Sequence, residues 1–185
     1  LGYIRNSASS GGLPQAADVT EADLQPAKPF CAYHPLTEGD RFDLGGVTVE
    51  VYRGRGHTPG CVTLLIPELY TLLLGDACNQ FTYLFDDGCS TVEEYLTMLS
   101  MLRTETDGRY KRVLVCHGPV AEAAPDMIGR VMDVCRDILN RNVDDMPFRG
   151  FHGEPVCIAK AMDFRSFTRV DGQVGNVVYN PKRIR

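Results

Sequence analysis

The sequence predicts an α/β (α+β) fold, and three observations carry that prediction. Short runs of β-branched and apolar residues, punctuated by glycine, fill positions 40 to 75. Two later stretches, beginning near positions 90 and 125, repeat apolar residues at helical spacing. The chain has 185 residues, 44% hydrophobic and 23% charged, an ordinary composition for one globular domain.

The elements follow in order. Residues 1–36 read as an irregular lead-in, in which Ser7-Ala8-Ser9-Ser10-Gly11-Gly12 has flexible-linker chemistry. From Asp40, Phe42 and Leu44, then Gly45-Gly46, then Val47, Val49 and Val51 alternate with polar residues, the pattern of a hairpin. Residues 62–66 and 70–74 make a second hairpin across Pro67-Glu68-Leu69. Their continuous apolar character is expected of a sheet covered on both faces. Ser90-Thr91-Val92-Glu93 fits a capping box, and Val92, Tyr95, Leu96, Leu99 and Leu102 continue it as a helix ending at Asp107-Gly108. A short strand at 112–116 runs into His117-Gly118-Pro119. Pro125 then opens a second helix with Ile128, Val131, Met132, Cys135, Ile138 and Leu139 on one stripe. Residues 155–160 and 174–179 read as late strands.

Several function classes are disfavoured. A net charge of −5 argues against nucleic acid, whose phosphates need clustered Lys and Arg. No run approaches the roughly 20 apolar residues of a membrane span. The seven cysteines form no Cys-x-x-Cys pair, so reduced, mostly buried thiols and a cytoplasmic location are expected. Cys78 and Cys116 flank the site proposed below and are candidates for a reactive thiol.

That site rests on three polar residues, each beside glycine at or just past a strand end. His57 lies in Gly56-His57-Thr58-Pro59-Gly60, Asp76 in Leu74-Gly75-Asp76, and His117 in Val115-Cys116-His117-Gly118. Strands ending on one sheet edge gather their terminal side chains in a crevice. Two imidazoles and a carboxylate there suit zinc or a similar transition ion. Taken singly, each residue is more often a turn, cap or hydrogen-bonding residue than a ligand.

In succession, residues 37–119 resemble the second half of the metallo-β-lactamase superfamily. That family shows a hairpin, Gly-His-Thr-x-Gly, an apolar strand, a strand ending in Gly-Asp, a helix, and a strand ending in His-Gly. Arg55 stands where the family has proline. The resemblance implies half of a four-layer αββα sandwich, with residues 40–179 as one mixed sheet and helices on its outer face. It makes His57 a ligand of one metal, Asp76 the bridging carboxylate and catalytic residue, and His117 a ligand of the second metal. Thr58 and the amides of the 58–60 turn would fix the His57 ring. Up to two zinc ions, or iron or manganese, would activate water against an ester, thioester, lactone or phosphodiester of a small-molecule substrate.

The family's His-x-His-x-Asp-His motif is absent, and the remaining histidines, His34 and His152, stand alone. The expectation is therefore half a metal site, inactive in isolation. Either an N-terminal half or another chain, a second copy included, would cover the inner sheet face. The competing reading is a non-catalytic remnant serving as a binding or assembly module. A cysteine enzyme using Cys116 beside His117 is disfavoured, since adjacent strand residues face opposite ways. Loop 79–88, with Phe81, Tyr83 and Phe85, is open to two readings, a pocket wall or plain aromatic packing. His152 is a candidate to reach the substrate.

Overall fold

The glycine-punctuated strands form four adjacent strands of a six-stranded sheet. A computed structural model describes residues 18, 20–24, 33–117, 121–151 and 153–185. The linker at 7–12, Cys31, Gly118-Pro119 and His152 lie outside the described residues. The chain divides into Leu1–Pro35 and Leu36–Arg185. In the first unit a 3-10 turn, Glu21–Asp23, starts at Thr20, whose amide donates to Asp23 Oδ2 at 2.8 Å. His34 is exposed.

In the second unit β1 (Arg41–Asp43) and β2 (Thr48–Arg53) pair antiparallel across Gly45 and Gly46. Both glycines have positive φ, which a side chain would strain. β3 (Val62–Ile66) pairs antiparallel with β2 and with β4 (Thr71–Gly75). β4 begins one residue later than the sequence suggests, because Tyr70 adopts a left-handed φ of 47° in closing the 3-10 turn Pro67–Leu69.

The chain then passes through β5 (Thr82–Leu84) and α1 (Val92–Thr106) to β6 (Arg112–Val115), which lies parallel to β4. β7 (Glu122–Ala123) pairs antiparallel with β6 at the sheet's edge. The remainder is α2 (Met127–Leu139), β8 (Met146–Arg149), β9 (Pro155–Ile158), β10 (Met162–Asp163), β11 (Thr168–Arg169) and β12 (Val177–Tyr179).

The capping box of α1 sits one residue beyond the expected one. Thr91 Oγ1 accepts from the Glu94 amide at 3.2 Å, and the Glu94 carboxylate accepts from the Thr91 amide at 2.9 Å. Ser90 cannot serve as the cap of a box, because its own amide already donates to the Gly56 carbonyl at 2.8 Å. Pro125 likewise falls just before the N-cap, Asp126, rather than within the first turn of α2.

The larger correction concerns the expected single sheet over 40–179. A second, four-stranded sheet has the order β5-β12-β9-β8, with β5 and β12 parallel, and β10–β11 form a separate ribbon. Sequence periodicity marked two of its strands, within 155–160 and 174–179, but not the short β5 and β8, and local pattern does not show that they leave the first sheet. The result is a mixed α/β fold of three sheets and two α-helices among the described residues, in keeping with part of an αββα sandwich.

The main core joins Leu65, Leu72 and Val113 of the six-stranded sheet to Tyr95, Leu99 and Leu102 of α1. Ile128, Val131 and Ile138 of α2 and Leu84, Val177 and Tyr179 of the second sheet complete it. Leu65, Leu72 and Val113 share one cross-strand row and are 0% exposed. The next row, Leu64, Leu73 and Leu114, points to the opposite face and is only half-buried. No helix among the described residues is long and apolar enough to cross a membrane.

Candidate metal centre

Strand direction explains which site residues meet. β3 is antiparallel to both β2 and β4, and β6 is parallel to β4, so β2, β4 and β6 all end on one edge. His57, Asp76 and His117 each follow one of those ends. β4 and β6 are immediate neighbours, and His117 Nε2 stands 3.2 Å from Asp76 Oδ1. β2 is two strand spacings from β4, roughly 10 Å, so the position of His57 depends on its loop. Among the described residues no three His, Cys, Asp or Glu side chains group closely enough to hold one ion.

The His57 ring is nonetheless held in a fixed orientation. Its Nδ1 lies 2.9 Å from the Tyr83 carbonyl oxygen. A carbonyl only accepts, so Nδ1 carries a proton, and the neutral tautomer this contact selects has its lone pair on Nε2. Holding an imidazole by a backbone carbonyl is a common way to orient a metal-binding ring. The expected support from Thr58 is corrected here: its hydroxyl pairs instead with Cys61 Sγ at 3.0 Å, and Tyr83 fixes the ring. The Cys89 thiol donates to the His57 carbonyl at 3.0 Å, tying the loop from its other side.

Tyr95 joins the His57 loop to the Asp76 turn. It is fully buried in α1, packs on Gly56, and donates its hydroxyl to the Ala77 carbonyl at 2.8 Å. Gly54 also packs closely on Ala77, where an added Cβ would come 2.7 Å from the alanine Cβ. The glycines before His57 are thus required by contact, although their φ is ordinary. Sequence reasoning placed Tyr95 in the helix stripe, but nothing local to it signals the two loops it touches.

Arg183 was also missed. Its guanidinium donates to the carbonyls of Asp86, Asp87 and Cys89, closing the loop that follows β5. The cysteines divide sharply. Burial pushes the Cys78 thiol up to about 12, leaving it inert, whereas Cys116 is exposed. Cys78, Cys89 and Cys135 are buried, while Cys61 and Cys157 are only partly so. The expected mostly buried set is therefore half buried among the described residues.

The donor chemistry suits a borderline divalent ion: one carboxylate, one imidazole against it, and a second imidazole with its tautomer fixed. The Asp76 and His117 side chains are 38% and 74% exposed, so both are reachable from solvent. Their number fits part of a coordination shell rather than a closed one.

No family model and no curated protein sequence matches the chain. Solved structures do. A metallo-β-lactamase from Pontibacter korlensis is 20% identical, over 71% of this chain and 61% of that one, with a TM-score of 0.46. The inverting sec-alkylsulfatase Pisa1 from Pseudomonas sp. is 14% identical, over 57% of this chain and 18% of its own, at 0.47. Metallo-β-lactamase IND-7 is 18% identical, over 55% and 46%, at 0.45. The chain spans less than two-thirds of the length of each of these structures.

Proposed function

We propose that this chain supplies part of the metal site of a hydrolase acting on an ester, thioester, lactone or phosphodiester. The observation that supports this most is the Asp76–His117 pair, 3.2 Å apart at the ends of adjacent parallel strands. His57, with Nε2 free, adds a third donor on the same edge. Zinc is the preferred ion, with iron and manganese suited to the same donors. When bound, the ion supplies Lewis acidity toward a substrate oxygen and an acidified water. Asp76 holds cationic charge and orients what lies against it, and His117 is positioned by that carboxylate.

The half-buried row of Leu64, Leu73 and Leu114 supports a further layer over that sheet face, from an N-terminal half or another chain. The six free thiols among the described residues support a reducing, cytoplasmic setting. One observation favours the second reading, a non-catalytic module: no three-ligand group exists among the described residues. Zinc titration by calorimetry, with hydrolysis of a panel of aryl esters, thioesters, lactones and phosphodiesters by the metal-loaded intact protein, separates the two. Asp76→Ala and His117→Ala should abolish binding, and His57→Ala should weaken it. Unchanged metal content in all three variants would overturn the proposal, and bound metal without hydrolysis would favour the module.

A further inference from the structure

Aromatic residues are gathered on one side of the second sheet. Six of the eight phenylalanines, Phe81, Phe85, Phe148, Phe151, Phe164 and Phe167, join Tyr83 in one continuous set of ring contacts. Tyr83, Val178, Ile158 and Met146 form a single cross-strand row beneath them. The opposite face, with Leu84, Val177 and Tyr179, belongs to the main core.

Ordinary core packing does not account for the whole set. Phe85 is 3% exposed, but Phe151 and Phe167 are 58% and 53% exposed. Unlike the scattered exposed aromatics Phe42 and Tyr70, these two belong to one contiguous set of rings and leave its outer side open to an added group. One end of the set reaches the candidate metal centre. The Tyr83 ring lies edge-on to His57, centroids 6.5 Å apart, and its carbonyl accepts the His57 Nδ1 proton.

Phe151 is held over Tyr83 by the hairpin between β8 and β9. The Gly150 amide donates to the Glu154 carbonyl at 2.9 Å, and Arg149 Nη1 donates to the Gly153 carbonyl at 3.0 Å. Its ring meets Tyr83 at 5.6 Å and 63°, and Phe85 at 5.4 Å and 56°. The first contact is edge-to-face and the second tilted, arrangements that leave ring edges and faces for an added aryl ring. The Tyr83 hydroxyl, on a half-buried residue beside these rings, can donate to a substrate oxygen.

We propose that Tyr83 and Phe151 form a subsite for an aryl group of the substrate beside His57, with Phe81 and Phe167 extending it. The assignment of the aryl group to a substrate rests on the hydrolase reading above; the binding itself does not. The chain has no tryptophan, so the fluorescence of 2-naphthol can be followed without an indole background.

Titration of the intact protein with 2-naphthol should give saturable binding. Phe151→Ser and Phe167→Ser, both at exposed positions, should weaken it about tenfold, the scale of one lost aromatic contact. Phe151→Tyr should restore it. Phe42→Ser and Tyr70→Ser, exposed aromatics remote from this sheet in sequence and strand order, should leave it unchanged. Absence of saturable binding, equal losses in the two controls, or tighter binding of decanol than of 2-naphthol would overturn the subsite. Asp76→Ala and His117→Ala should keep 2-naphthol binding whatever they do to zinc. Failed zinc binding with retained naphthol binding would thus count against the hydrolase and leave the subsite standing.

Discussion

Tyr95 packs so closely on Gly56 that a Cβ added there would come within 2.4 Å of the ring carbon Cδ2. The same side chain, through its hydroxyl, holds the Ala77 carbonyl on the far side of Asp76. A helix residue in the core therefore sets the relation between two loops that carry candidate ligands.

Gly56→Ala should destabilise the protein by about 1–3 kcal/mol, the usual cost of overpacking a filled site. Neither Tyr95, fully buried, nor the loop can yield freely. Gly60→Ala is the control, since a Cβ there meets nothing within 4 Å and its φ is not positive. Urea denaturation should give a lower midpoint for the first variant than for the second. Coincident midpoints would refute the contact argument.

Arg183→Ala removes the guanidinium that satisfies three main-chain oxygens of residues 86–89. The chain end should stay anchored, because the Glu93 amide donates to the Ile184 carbonyl at 3.0 Å. A loss of about 1–2 kcal/mol is expected, charge-assisted bonds being discounted here for partial exposure. Amide exchange at residues 86–89 should accelerate while that of β4 does not.

Glu50 gives a pH dependence of stability. Its side chain is 7% exposed, and burial alone would raise its pKa. The Tyr52 hydroxyl, Arg109 and Arg41 outweigh that and lower it below the ordinary glutamate value. A carboxyl with a lowered folded-state pKa adds stability that is complete above its unfolded value, about 4.3. That contribution disappears as pH falls through the lowered folded value. Glu50→Gln should therefore flatten the fall in melting temperature below about pH 4.3 and lower it at neutral pH. A parallel acid profile for the two proteins would remove Glu50 from that role.

Thiol accessibility should follow burial rather than sequence context. In native protein, iodoacetamide should modify Cys116 well before Cys78 or Cys135, both fully buried with their thiols pushed well above the usual range. Peptide mapping by mass spectrometry reads this directly. Early labelling of Cys78 would mean that the turn after Asp76 opens in solution.

The strands and helices before residue 140 were largely legible because their signals are local. Apolar alternation marked β2, the stripe from Ile128 to Leu139 marked α2, and glycine pairs marked the first hairpin. Boundaries moved by a residue where a backbone group was already committed, as the Ser90 amide is to Gly56. Strands within 155–160 and 174–179 were legible, but their sheet was hidden, since β12 pairs in parallel with the distant β5 and each offers only three residues there.

By itself, the sequence determined the donor types, their order, and their placement past apolar strands beside glycine. Those properties follow from composition and period, which are read over a few residues. Tertiary structure decided that Asp76 meets His117 rather than His57, that Tyr83 sets the His57 tautomer, and that Tyr95 braces both loops. The physical reason is strand adjacency: β4 and β6 become neighbours through packing of the segments between them, and no local pattern encodes that distance. The Asp76–His117 pair is a product of that packing.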